Sequence, residues 1–164
     1  VEPDGSTLIG MDYSDKTTPH RQLDGSCYWV PRGLFLQLIE AVLAQAKRAG
    51  FKAIVADGHG PSRAAFRTFA EGWESQFGLT LFAPGHRIEG QWRSQVDHAA
   101  KNETSLMLAH HPHLVDLSQL PADRAEWPQG VAGEDPRDSS AAHGEECIED
   151  TLALIGAALE KWGG

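Results

Sequence analysis

The sequence predicts an α/β fold, a mainly parallel sheet with helices on both faces, and three observations predict it. A helical apolar stripe runs through residues 31–50, and a short apolar run at 51–56 follows it directly. After the glycine turn "DGHGPS" a second helical stripe leads into another apolar run at 79–83. Strands that alternate with helices need crossover connections, which bring the strands parallel and cover the sheet with helices, here as three α/β/α layers. In such sheets ligands collect beyond the carboxyl ends of the strands. "DGHG" lies at such an end.

The elements follow in order. "TLIGMDY" is short and apolar enough for a strand, and "SDKTTPHRQLDGS" is rich in turn formers and reads as a long loop. From Pro31, where a first-turn proline is tolerated, Phe35, Leu38, Ile39, Val42, Leu43 and Ala46 recur at helical spacing, and Gly50 supplies a stop. Residues 51–56 form a buried strand, Ala65, Phe66, Phe69, Ala70 and Trp73 a second helix closed by Gly78, and residues 79–83 another strand. "NETSLMLAHH" predicts a helix starting through Asn102 with Glu103 in its first turn, where the macrodipole favours a carboxylate. "HLVDLSQL" suits a strand or a core-lining loop, and residues 116–138, rich in proline and acid, predict an irregular excursion. Ser139 or Ser140 then caps a last helix with Ile148, Leu152, Ile155 and Leu159 on one face, ending at Gly163.

A chain of 164 residues fits one domain, 1–164, with a core of its own. Its 23 acidic and 14 basic residues give a net charge of −9, which argues against nucleic acid as a partner. Cys27 and Cys147 form no CxxC pair, so neither a zinc ribbon nor a redox motif is supported, and a reducing cytoplasm suits them. No apolar run is long enough to cross a bilayer, and the first residues lack the layout of a signal peptide. A chain beginning at Val1 points to processing, trimming or a fragment.

Two clusters carry chemistry. His59 stands between Gly58 and Gly60, whose missing side chains let a bound ion come close, and neutral imidazole is the commonest metal ligand. A tight structural turn explains the same residues. Asp97, His98 and Glu103 fall within seven residues of "DHAAKNETS" and offer carboxylate and imidazole donors suited to zinc or manganese. A solvated helix start explains these too. His110, His111 and His113 look like a metal triad, but they follow a helix and flank Pro112, and read as helix-end and surface residues.

Taken together, the two clusters resemble the creatininase family of metal-dependent amidohydrolases, which includes creatinine amidohydrolase and relatives acting on formamides. "DGHGPS" is similar to the family's strand-end "NGHGGN", and "HAAKNETS" is similar to "HAGxxETS". The sequence "HRQLDGS", residues 20–26, has the spacing of H-x-x-F-P-G-T, and "GVAGEDPRDSSAAHGEE" resembles a G-V-x-G-D-P stretch before the last helix. The resemblance covers residues 10–162 with four motifs in order.

The resemblance implies that His59 and Glu103 are metal ligands, that His98 moves a proton near the scissile bond, and that Asp97 orients it. It places His20, Trp92 and Asp57 on the substrate side; a loop role for His20 and core packing for Trp92 compete. It implies a divalent metal, zinc first, with manganese or iron as alternatives, and a small-molecule substrate whose carbonyl or amidine carbon a metal-activated water attacks, with cleavage of the C–N bond. The family's first motif, similar to G-S-T-E-x-H-G, is not matched: Leu8 and Gly10 stand where its glutamate and histidine belong. Asp57, Pro61 and Lys101 also depart from the pattern. Catalytic zinc usually has three protein donors, so a homo-oligomer, or a hetero-oligomer with a chain supplying the remaining ligands, is expected. A non-catalytic, creatininase-like subunit that binds a small ligand or stabilises a partner is the alternative.

Overall fold

The computed structural model describes residues 8–9, 30–58, 60–93 and 96–162. The chain divides into two compact units, Val1–His86 and Arg87–Gly164. No helix among the described residues is long and apolar enough to cross a membrane.

In the first unit β1 (Leu8–Ile9) pairs antiparallel with β2 (Val30–Pro31), and α1 (Arg32–Arg48) follows at once. Pro31 stands at the N-cap, one residue before the helix, and Lys47 and Arg48 occupy the last turn, where the macrodipole favours cations. β3 (Ala53–Val55) lies parallel to β4 (Thr80–Pro84), with Ile54 opposite Leu81, and α2 (Gly60–Phe77) makes the crossover. The predicted βαβ order is therefore present, and the chain has an α/β fold with a parallel strand pair.

The core of this unit is built from Leu43 of α1, Phe66, Ala70 and Trp73 of α2, and Leu79, Leu81 and Ala83 around β4. Leu81 and Ala83 share one face of β4, as the two-residue period of a strand requires. The Trp73 ring lies 5.4 Å from Phe66 and 5.7 Å from Phe69, and its indole N–H donates to Glu40 Oε1 at 3.1 Å. Lys47 Nζ reaches the carbonyl of Gly78 at 2.9 Å, tying the end of α1 to the end of α2. The predicted stripe of α1 is only partly buried: Leu36, Ile39 and Leu43 meet the core, whereas Leu38 and Val42 are exposed. Residues at i, i+3 and i+7 make the seam, and their apolar neighbours one step round the helix fall outside it.

In the second unit β5 (Arg87–Ile88) is followed by α3 (Lys101–His110) and α4 (Ala141–Trp162), with single 3₁₀ turns at Pro112–Leu114, Leu117–Gln119 and Pro136–Asp138. The stretch "HLVDLSQL" thus forms two 3₁₀ turns in place of a strand. Of the two candidate caps for α4, Ser140 acts: its Oγ accepts the amide of His143 at 3.2 Å. The buried face of α4 differs from the predicted one. Gly144, Cys147 and Ala158 are buried, while Leu152 and Leu159 are exposed. The reason is proximity: a Cβ on Gly144 would sit 2.1 Å from the carbonyl oxygen of Ser105 in α3, so only a face of small residues brings the helices this close.

The irregular stretch before α4 is tied together by Arg137. Its Nη1 donates to the carbonyls of Pro121 at 3.0 Å and Asp123 at 2.9 Å, and its Nε to Asp135 Oδ1 at 2.8 Å. Arg124 holds Asp138 at 2.6 Å.

Candidate functional site

The cluster around His98 is built where the chain turns into α3. The helix begins at Lys101, and its N-cap residue, Ala100, has no side chain that can accept a hydrogen bond. Asp97 supplies the acceptor instead: its Oδ2 takes the amide of Asn102 at 2.7 Å and its Oδ1 the amide of Glu103 at 3.4 Å. The first-turn amides of a helix lack partners within the helix, so a carboxylate aimed at two of them stabilises the start and opposes the positive end of the macrodipole. The cap position expected at Asn102 thus lies two residues back, at Ala100, with Asn102 inside the first turn.

Glu103 closes the same turn from the other side. Its Oε2 accepts the amide of Ala99 at 2.6 Å, a reach back across the helix start like that of a capping box. Ala99 has a φ of 49°, in the left-handed region that a residue with a Cβ rarely occupies. Between them His98 is exposed, and its backbone pairs with Ala132. The structure therefore brings Asp97, His98 and Glu103 into one turn, with both carboxylates bonded to backbone amides. A cavity of about 370 Å³ opens beside it, lined by Ala99, Glu103, Thr104, Met107, Val115 and Pro136 among others.

Behind this turn lies a polar contact that sequence reading missed. Asn102 Oδ1, an acceptor, lies 2.8 Å from Nε2 of His143 in α4, which therefore carries the proton. The Asn102 amide nitrogen donates to the carbonyl of Arg93 at 3.0 Å, and the Cys147 thiol faces Asn102 Oδ1 at 3.9 Å. Burial pushes the Cys147 thiol above its ordinary pKa. Arg93 in turn holds Asp150 at 2.6 Å. At the edge of the turn Lys101 Nζ meets Glu134 Oε2 at 2.8 Å; that hydrogen bond raises the lysine's pKa and lowers the glutamate's.

The other predicted residues fall elsewhere. Asp57 follows β3, is exposed, and its Oδ1 accepts the amide of Gly58 at 2.7 Å. Arg63, in the first turns of α2, has its pKa lowered by burial and then by Arg67, with Asp57 acting in the opposite direction. A cavity of about 250 Å³ adjoins Asp57, Ser62 and Arg63 and is otherwise mostly apolar. Trp92 is buried, 2% exposed. His59 and His20 lie outside the described residues. The rings of His110, His111 and His113 succeed one another at 6.4 and 6.1 Å, all three residues exposed.

Among the described residues no three His, Cys, Asp or Glu side chains come together to hold a metal ion. With one Glu103 oxygen already bonded to Ala99, the described donors do not by themselves fit a cation.

Similarity to known proteins agrees with the fold. No curated protein matches the chain. Among solved structures, a glutamate-to-glutamine mutant creatininase of Zn–Zn type matches with a TM-score of 0.57 and 18% identity, over 93% of this chain and 72% of that one. A tryptophan-to-phenylalanine mutant creatininase matches at 0.55 and 18%, over 89% and 70%, and a glutamate-to-glutamine mutant complexed with creatine at 0.54 and 18%, over 87% and 69%. The family model described as creatininase, creatinine amidohydrolase, matches residues 13–159 and so takes in both chemistry-bearing clusters. On that match the chain belongs to the creatininase family of amidohydrolases.

Proposed function

We propose that this protein is a metal-dependent amidohydrolase that cleaves a C–N bond of a small cyclic amide, a formamide or a related nitrogen compound. The observation that carries the reading is the family match across residues 13–159, which spans "DGHGPS" and "HAAKNETS" in order. In this reading His59 and Glu103 are ligands of a divalent cation, zinc first, with manganese or iron as alternatives. When bound, such a cation supplies Lewis acidity toward water and the amide carbonyl. His98 carries a proton to the departing nitrogen, Asp97 steadies it, and Asp57, Trp92 and His20 belong to the substrate side. Support comes from the exposed imidazole of His98 and from the cavity of about 370 Å³ that its neighbours Ala99 and Glu103 line, a volume suited to a small molecule. Further ligands come from another chain, in a homo-oligomer or a hetero-oligomer.

The second reading is a non-catalytic member of the family that binds a small ligand or stabilises a partner. The bond from Ala99 to Glu103 favours it, because it gives that carboxylate a structural task without any metal.

Glu103→Gln separates the two. Glutamine keeps an oxygen that accepts the Ala99 amide but loses the negative charge. The test is zinc binding by calorimetry on the protein as purified with any companion chain. The hydrolase reading expects both Glu103→Gln and His59→Ala to lose zinc, with the melting temperature of metal-free Glu103→Gln unchanged. Wild-type zinc affinity in Glu103→Gln removes Glu103 from the ligand set. A wild-type protein that binds no divalent cation leaves the non-catalytic reading.

A further inference from the structure

We infer that Gly133 is a positioning residue for His98, acting through the backbone on which the imidazole is mounted; the inference rests on reading His98 as the proton carrier. The amide of His98 donates to the carbonyl of Ala132 at 2.7 Å, and the amide of Ala132 returns to the carbonyl of His98 at 2.9 Å. Three residues after His98 and two after Ala132, the amide of Lys101 donates to the carbonyl of Glu134 at 3.2 Å. Gly133 lies between these attachments with a φ of 139°, a conformation that disfavours any side chain. A Cβ placed there would stand 2.5 Å from the Cβ of Asp97 and 2.9 Å from the Cβ of Ala100, the residues on either side of His98 and Ala99. The segment from Ala132 to Glu134 is thus the wall against which the histidine turn rests.

The turn has no slack to absorb a push from that wall. Ala99 already stands in the left-handed region at 49°, its amide is held by Glu103, and the carbonyl of Ala100 accepts the amide of Thr104 at 3.0 Å. Ordinary contact begins at 3.4 Å, so a methyl group at position 133 is close to 1 Å too near Asp97. The displacement passes to His98. A catalytic group misplaced by about 1 Å can lose on the order of 100-fold in rate.

The test compares Gly133→Ala with Gly130→Ala. Gly130 also has a positive φ, 79°, but a Cβ there meets nothing within 4 Å, so it carries backbone strain without the clash. The readouts are the imidazole signals of His98 in proton–nitrogen correlation spectra, and kcat and KM for creatinine and for formamide with Zn²⁺ supplied. The inference expects Gly133→Ala to shift the His98 signals and lower kcat about 100-fold with KM unchanged. Gly130→Ala is expected to match wild type, and Ala100→Gly in the Gly133→Ala background to recover part of the loss.

Unshifted His98 signals in Gly133→Ala, or equal shifts in both variants, overturn the inference. Should Gly133→Ala fail to fold, hydrogen exchange of the wild-type protein decides: the His98 and Ala132 amides must be protected to the same degree, and free exchange at either refutes the clamp. A wild-type protein inactive toward both amides counts against the hydrolase reading, while the imidazole signals still judge Gly133.

Discussion

Gly144→Ala puts the seam between α3 and α4 to the test. Inside a helix alanine is favoured over glycine by about 0.8–1.0 kcal/mol, so propensity alone predicts a gain. The structure predicts the opposite. The new Cβ would stand 2.1 Å from the carbonyl oxygen and 2.6 Å from the carbonyl carbon of Ser105, and 2.9 Å from the Cβ of Ala109. Backbone atoms cannot rotate aside, so α3 and α4 must separate by more than 1 Å to reach the 3.4 Å of ordinary contact. Overpacking of this kind costs about 1–3 kcal/mol. An unyielding neighbour puts the cost near the upper end, and subtracting the propensity gain leaves a net loss of about 2 kcal/mol, or roughly 4–8 °C in melting temperature for a chain of this size. Gly156, in the same helix, and Gly72 in α2 have nothing within 4 Å of the corresponding position. The same substitution at either should raise the melting temperature by about 2–4 °C. Thermal and urea unfolding of the three variants provides the assay. A Gly144→Ala protein as stable as Gly156→Ala would refute the close approach of the two helices.

Asp97→Ala should destabilise by about 1 kcal/mol through loss of the helix cap, and Asp97→Asn by clearly less because its side-chain oxygen still accepts an amide; urea midpoints distinguish them, and equal losses would remove the capping role. Arg137→Ala should raise hydrogen exchange and proteolytic cleavage within residues 121–139, because one guanidinium holds the carbonyls of Pro121 and Asp123 as well as Asp135. Acid should loosen the same stretch. Hydrogen bonds from Arg137 to Asp135, and from Arg124 to Asp138, hold both carboxyls below the usual aspartate range. A carboxyl whose folded pKa is depressed contributes stability above its unfolded pKa of about 3.9 and loses it as pH falls through the folded value. Amide protection in this stretch should therefore hold from neutral pH to about pH 4 and fall below it.

How far the sequence can be read depends on whether a feature leaves a periodic trace. Residues 31–84 were legible as helix, strand, helix, strand because the apolar spacing changes period at Gly50 and Gly78, both at positive φ. The buried face of α4 was not legible, since Gly144, Cys147 and Ala158 give no strong apolar signal beside Ile148, Leu152, Ile155 and Leu159. The start of α3 was misplaced for a related reason: its cap comes from Asp97, outside the helix and five residues before the amide it meets. In the candidate site the residue types of the His98 turn were legible from their clustering, but the tasks of the carboxylates were not. A left-handed alanine at 99 carries no mark in the sequence. The glycine at 133 does carry one, inside "GVAGE", and a glycine facing a carboxylate–histidine pair is the signal that would have pointed to it.

The thiol of Cys147, 1% exposed and disfavoured as thiolate by burial, has a practical consequence. A sulfhydryl reagent can modify it only in molecules where the cover of the thiol, to which Asn102 of α3 belongs, has transiently opened. The protein thus contains its own clock for that breathing motion, readable once Cys27 is replaced by serine, and any ligand that grips the turn at position 98 will register as a slower tick.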